Sequence, residues 1–544
     1  MKISNNLECD ILIVGGGIAG LISAKKASDS GKKVILVIND KLGSGASYFE
    51  LKGTLGIQAT AGEKDKELYY EDVISVGKNM TNSDLIKTYI DEIEESIPYL
   101  NEIGFEPWLR NDNRPACFAK YPRKIYLIKD WQKSKMKAKE IFKKISNLTI
   151  LENTELVHLV KKEERVVGGV VENNGKFISI STPVVIMATG GIAGLYKNKL
   201  YPNNVYGNGH IILLDIGAKA QNMEFIQFIP AFLKPVYNTL FGEHTLKYCI
   251  GMYDIKNNLI LNGIEDKKLA NLWEERSGYA PFSFDFASHK IDLKIFKELE
   301  KNGSGVKLKF SELLYKDKGE FYTVFLEWLK NKMGIDMVKD EIIITHFAHS
   351  CNGGIKINKD GETGVKGVYA IGELSSGVEG ANRLGGNSMG ASLVFGKRAV
   401  DSALKYLSEN KISNEKEFIE KDFELWIEGI SKTKIENPLS YEEIKNTISE
   451  IISKTGNICR DKNSIIEALK EIDKLKKRFF IQAEISKGIE IYYRLEVSRM
   501  LLLAMLNREE SRGAHYRKDF PFSSDKIYKI EITRENGEFI LNKK

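Results

Sequence analysis

The stretch "CDILIVGGGIAGLISAKKASDSGKKVILVIND", Cys9 to Asp40, decides the fold. Ile11–Val14 is an uninterrupted apolar run of strand length, three glycines follow, and apolar residues then recur at helical spacing until Val34–Ile38 forms a second apolar run. Strand, tight turn, helix and strand make a βαβ unit. Gly15, Gly17 and Gly20 fill GxGxxG inside it, with Ile18 and Ala19 between the last two. Glycines at that place permit the tight turn and turn the helix N-terminus toward a pyrophosphate, so the pattern predicts a dinucleotide site. The second strand of such a unit ordinarily ends in an acid for the ribose; here that place is Ile38, and Asn39 or Asp40 stands in for it.

Two later stretches extend the same domain. "VVIMATGG" (Val184–Gly191) is a third apolar strand running into Gly190, and "GVKGVYAIGE" (Gly364–Glu373) a fourth ending in the Glu373 carboxylate. Strands so far apart in sequence imply one cofactor domain with an insertion. The expected organisation is an α/β protein: a Rossmann-like dinucleotide-binding domain over 1–230 and 341–405, an inserted α+β capping domain over 231–340, and a C-terminal helical domain over 406–544. Its short β tail, "KIYKIEITRENGEFIL", carries an Asn-Gly hairpin signal.

Composition limits the function classes. In 544 residues, 80 Lys and Arg face 74 Asp and Glu, spread without any block resembling a nucleic-acid arm. The lysines between Lys120 and Lys144 have the spacing of a solvated helix face. No nucleic-acid partner is expected, whereas an anionic substrate is compatible. The five cysteines form no CxxC pair, which excludes a self-contained iron–sulfur module and places any such relay on a protein partner. No metal site is expected. The apolar run Ile11–Ile22 is too short to span a bilayer, and with no cleavable leader before the first strand a cytoplasmic protein without membrane insertion is expected.

The stretch Gly377–Ala399, "GVEGANRLGGNSMGASLVFGKRA", sets a single arginine, Arg383, in a run of small residues before a helical pattern. Small residues let backbone approach a flat ligand, and a guanidinium fork suits a carboxylate.

With the glycine fingerprint, "MATGG", "YAIGE", this stretch, and "NREESRGAHYRKDFP" (Asn507–Pro521) in that order, the chain resembles, over nearly its whole length, the flavoprotein subunits of succinate dehydrogenase and fumarate reductase, and L-aspartate oxidase. The resemblance implies FAD lying extended across the cofactor domain under a mobile cap. It implies that Gly15, Gly17, Ile18, Ala19 and Gly20 hold the pyrophosphate, with Asn39 or Asp40 at the ribose and Ala46, Ser47 and Gly53 beside the flavin. Gly190 and Glu373 serve the middle of the cofactor, and Asn387, Ser388 and Met389 meet the flavin at a helix N-terminus. Arg383 and, from "HFAHSCNGGI", His349 become the substrate carboxylate ligands, while His346 is left to packing. The charges of "NREESRGAHYRKDFP" are read as tying the helical domain to the cofactor domain.

Three departures qualify that resemblance. The family's "EFxQFHPT" is "EFIQFIPA" here, so Ile229 and Ala231 replace a polar pair, and "LAPRD" is "YAPFSFD", so Phe282 stands at the place of the proton-donating arginine. Arg276, Tyr279 and His289 are the cap residues left to supply a displaced acid. No histidine precedes His158, so "GASYFELKG" (Gly45–Gly53) cannot form a histidyl–flavin bond and FAD is expected to be noncovalent. The implied activity is hydride transfer between a small carboxylate and flavin N5, with an electron-transfer protein as a further partner. L-aspartate oxidation, or a non-catalytic electron-carrying flavin subunit, are the alternatives.

Overall fold

A computed structural model describes residues 3, 5–52, 55–261, 264–410, 414–431, 439–479 and 484–544. Ile11–Val14 and Val34–Val37 are fully buried strands flanking the helix Ile18–Asp29. They sit inside a five-stranded parallel sheet in the order Val368–Ala370, Val185–Met187, Ile11–Val14, Val34–Val37, Leu148–Leu151. Burial on both faces explains why the first four of these strands read as continuous apolar runs, whereas the edge strand Leu148–Leu151 is partly exposed and carries Thr149. Helix Ile18–Asp29 covers the sheet together with the 23-residue helix Asn387–Glu409, against which it packs closely: Ser23 Oγ donates to Gly396 O at 3.0 Å.

A second layer pairs Asn5–Glu8, Lys176–Ser181, Arg165–Asn173 and Thr154–Lys162. Between Phe232 and Ile344 the chain builds its own apolar cluster, which includes Trp273, Ile295, Phe310 and Phe325. That cluster lies on an antiparallel sheet whose central strands, Ile226–Lys234 and Ile342–Cys351, pair along nearly their whole length. The boundary expected at 230/231 therefore falls inside a strand. Both strands run without a break from the cofactor side into the inserted segment.

Helices Lys416–Ile430, Tyr441–Thr455, Lys462–Lys477 and Ile485–Asn507 follow, as the apolar spacing predicts. The tail forms the hairpin Ile530–Glu535 and Glu538–Lys543 about Asn536-Gly537, and it pairs back onto Ala220–Gln221. The lysine-rich stretch differs from its reading. Only Trp131–Phe142 is helical, and Lys124–Ile128 is a strand, because pairing with Leu55–Ala59 overrides the local pattern.

"NREESRGAHYRKDFP" is the brace between parts. The fully buried Arg508 pairs with the fully buried Glu224, Ala514 N donates to Ala381 O at 2.9 Å, and Phe284 N donates to Gly513 O at 2.8 Å. One segment thus fixes the helical region, the Arg383 loop and the inserted segment to one another.

Candidate active site

A cavity of about 790 Å³ runs from the Gly15 turn, past Glu373, to Arg383 and His349, and on to the inserted segment at His244, Ser277 and Tyr322. Its volume is that of a pocket for a large cofactor with a small second ligand. At one end the turn has no room for side chains. A Cβ on Gly15, whose φ is +119°, would stand 2.2 Å from Ala188 O, and one on Gly20 would stand 1.9 Å from Gly15 O. The turn thus brings bare backbone to the cavity. The helix that follows has no side-chain cap from Gly17; Ser47 Oγ accepts from Ile18 N at 3.2 Å and leaves the remaining N-terminal N–H groups for an anion. Thr189 Oγ1, which also lines the cavity, is buried without a partner among the described residues.

Gly15, Gly17, Ile18, Ala19, Asn39, Ala46, Ser47, Gly190, Glu373, Ser388 and Met389 all line the cavity, as do Arg383 and His349. Gly20, Asp40 and Asn387 do not. Gly20 packs beneath the turn, and Asn387 Oδ1 accepts from the Tyr69 hydroxyl at 2.9 Å on the far side of its helix. Gly53 lies outside the described residues. Midway along the cavity, Glu373 is held at both oxygens, by the Tyr201 hydroxyl at 2.6 Å and by Cys351 N at 3.0 Å, while Gly191 N donates to Tyr201 at 3.0 Å.

Arg383 projects from a loop locked by Asn382, whose Oδ1 accepts from Gln227 Nε2 at 2.7 Å and whose Nδ2 donates to Phe282 O at 3.2 Å. Its guanidinium donates to Ser350 Oγ at 3.0 Å and meets His349 Nε2 at 3.1 Å. A guanidinium has no acceptor, so His349 Nε2 accepts and the imidazole proton is assigned to Nδ1. Burial, reinforced by the charges of Lys52 and Arg383, holds His349 well below its ordinary value and therefore neutral. Its Nδ1 is buried with no partner among the described residues. Arg383 makes no ion pair with a carboxylate among them. A cation left uncompensated at the wall of a cavity is the complement of an anion.

Ile229 lines the cavity beside Lys52, while Ala231 packs in a small cluster with Leu200 and Phe347. Phe282 is fully buried in the main core and does not line the cavity; Ala280 and Pro281 do. The residues left as acids in the inserted segment are committed elsewhere. Arg276 grips Asp292 with two donors at 2.8 and 3.0 Å, and His346 Nε2 meets the same carboxylate at 2.8 Å, all of them buried. The Tyr279 hydroxyl is bonded to Ser288 Oγ at 2.8 Å, and His289 Nδ1 to Phe286 O at 2.6 Å. His346 is thus one corner of a buried ion-pair network. None of the residues of "NREESRGAHYRKDFP" lines the cavity.

The sequence reading passed over Lys52, Tyr201 and Ser350. Tyr201 and Ser350 carry no sequence signal of their own. Lys52 does: it is the one basic side chain in "GASYFELKG". Among the described residues no cluster of His, Cys, Asp and Glu is arranged to hold a metal, and no helix is long and apolar enough to cross a membrane.

A family model described as FAD binding domain matches residues 10–244 and 323–389, and one described as fumarate reductase flavoprotein C-term matches 445–539. The chain is 26% identical over 540 residues to an uncharacterized FAD-dependent oxidoreductase of Methanocaldococcus jannaschii, covering 95% of this chain and 94% of that one. It is also 26% identical to an L-aspartate oxidase of Acinetobacter baylyi, covering 97% and 96% of the two chains. The same identity, 26%, relates it to one of the subunits of a fumarate reductase (CoM/CoB) of Methanothermobacter marburgensis, over 94% and 95%. Among solved structures, the FrdA chain of E. coli quinol fumarate reductase superposes with a TM-score of 0.80 at 21% identity, covering 99% of this chain and 97% of that one.

Proposed function

Because the chain belongs to the FAD-binding flavoprotein family of fumarate reductase and L-aspartate oxidase, and is a flavin-dependent oxidoreductase, we propose that it moves a hydride between a small carboxylate and flavin N5. FAD, when bound, supplies the two-electron centre. In this reading Gly15, Gly17, Ile18 and Ala19 take the pyrophosphate on bare backbone and a helix N-terminus. Asn39 takes the ribose, Gly190 and Glu373 the middle of the cofactor, and Ser388 and Met389 the flavin end, where the positive end of helix Asn387–Glu409 favours the reduced, anionic form. The loop Gly45–Lys52 holds no histidine, so the cofactor is retained without a covalent bond and acid precipitation should release intact FAD.

Arg383 is the carboxylate clamp, with the neutral His349 giving its Nδ1–H to the same anion. The observation that carries this is the Arg383 guanidinium, fixed by Ser350 and His349 yet paired with no carboxylate among the described residues. Ile229 supplies no polar partner for a second carboxylate, which favours substrates with a single carboxylate held at the Arg383 end.

The test is a spectroscopic titration of the FAD-loaded protein with small carboxylates and amino acids, read as perturbation or bleaching of the flavin absorption. Arg383→Ala should weaken the response at least roughly thirtyfold with FAD content unchanged, since truncating one partner of a desolvated charge pair costs about 2–5 kcal/mol. Arg383→Lys should restore little, because an ammonium cannot form the fork. Bleaching by L-aspartate alone would narrow the activity to L-aspartate oxidase. A flavin that cycles with chemical reductants but answers no carboxylate, in wild type or variant, would overturn the clamp and favour an electron-carrying subunit.

A further inference from the structure

Beside Arg383 the cavity holds a second cation. Lys52 lines the main cavity and also a smaller one of about 80 Å³ that opens between Ile229, Cys117 and the inserted segment at Glu243 and His244. Its side chain is buried, Nζ lies 5.3 Å from the centroid of the Tyr201 ring, and it makes no hydrogen bond or ion pair with a described residue. A buried ammonium is ordinarily paired with a carboxylate. Here the acid whose charge acts on it, Glu373, has both oxygens occupied by Tyr201 and Cys351, and the neighbouring cation, Arg383, makes no ion pair with a described carboxylate, although the charge of the buried Glu379 reaches it. Two cations therefore line one cavity, and neither is ion-paired with a carboxylate among the described residues.

We propose that Lys52 is the proton-holding group of the substrate site: an anion entering beside Arg383 is matched by uptake of one proton at Lys52 Nζ. The proposal rests on the carboxylate reading of this cavity and adds to it a group that the departures at Ile229 and Phe282 left missing. In the free protein, burial lowers Lys52 to about 8, with Glu373 opposing and Arg383 reinforcing. A bound anion raises it again, so the anion binds best to the protonated form. Its affinity is then flat below about pH 7 and falls by up to about tenfold per pH unit above about 8.

The other groups facing Lys52 do not supply that proton. His349 stays neutral, burial pushes Cys117 up to about 12, and His244 is lowered to about 3 by burial and by Arg114. Tyr201 is raised well above its ordinary value, chiefly by burial. Glu243 is the competitor, since burial raises its carboxyl to about 8 even with Arg276 nearby.

The experiment is calorimetry of the FAD-loaded protein with malonate, and with acetate as the monoanion, in buffers of different ionisation enthalpy at pH 6.5, 7 and 9. Wild type should take up roughly 0.9 proton per anion at pH 9 and almost none at pH 6.5, and should bind about tenfold more weakly at pH 9 than at pH 7. Lys52→Met should remove both the uptake and the slope. Lys52→Arg should bind without uptake at either pH, and Glu243→Gln should leave the wild-type pattern intact. Anion binding without proton uptake in wild type, or uptake that persists in Lys52→Met and vanishes in Glu243→Gln, overturns the proposal while leaving the carboxylate site standing. Uptake that accompanies flavin reduction instead of anion binding also overturns it, and assigns the lysine to the cofactor. Absence of any binding at pH 7 would sink the carboxylate reading together with it.

Discussion

A histidine that accepts a hydrogen bond from an arginine gains nothing from a proton, and this fixes how His349 behaves. Burial, the Lys52 charge and the Arg383 charge all oppose protonation and hold His349 neutral, so the imidazole itself should bring no pH dependence to anion binding near neutrality. His349→Gln, which keeps a neutral donor, should therefore weaken binding by the same factor at pH 6 and at pH 8; a ratio that changes with pH would mean the imidazole titrates. Phe282 yields a second expectation. It is fully buried in the main core, its N–H bonded to Phe228 O at 2.7 Å, so Phe282→Arg places a charge among apolar side chains and not in the cavity. The variant should lose several kcal/mol of stability, about 3–5, and gain no fumarate reduction; an unchanged melting temperature with fumarate turnover would restore the arginine position to the site. Arg383 and His349 both line the cavity; Arg383 is legible from the run of small residues around it, and His349 only from the resemblance of "HFAHSCNGGI" to the family's stretch. Lys52 stands out in sequence only as the one basic residue of "GASYFELKG"; its place in the site depends on Tyr201, Glu373 and Arg383, which arrive from distant segments.

Among the elements, the opening strand, turn and helix are self-specifying. Their periods are local, and Gly15 and Gly20 are demanded by contacts with Ala188 O and with Gly15 O itself. Gly15→Ala should push the turn off the strand Val185–Met187 and yield a folded but colourless protein, checked by the ratio of flavin to protein absorbance; wild-type flavin content would show that the turn tolerates a side chain. The limits of the inserted segment were harder to read. Strands Ile226–Lys234 and Ile342–Cys351 cross the junction as one antiparallel ribbon, so no change of composition marks the place where one core ends and the other begins. The strand Lys124–Ile128 was hidden for a related reason: its lysines satisfy a helical pattern, and only the partner Leu55–Ala59 makes it a strand.

For the whole molecule, buried neutral histidines contribute to the response to acid just below neutrality. Burial lowers His210 to about 4, outweighing the opposing effect of the Gly207 backbone. Its folded-state value is depressed, so between pH 6.5 and about 4 the unfolded chain binds the additional proton. The stability present above about 6.5 is lost as pH falls toward 4, at about 1.4 kcal/mol per unit and about 3 kcal/mol in all. Urea midpoints should fall from pH 7 to pH 5, and His210→Leu should flatten that fall; an equal slope in the variant would place the acid sensitivity elsewhere. The order of the parallel sheet has a consequence in time. Its strands span residues 11 to 370, and the cavity closes only with Ser388 and Met389, so during synthesis the Gly15 turn waits on the order of tens of seconds for its opposite wall. A nascent chain halted before Val368 shows Val185–Met187 as a bare sheet edge. Cofactor capture is therefore a late event in the life of each polypeptide, and a cell short of FAD would accumulate full-length, unloaded chains rather than stalled ones.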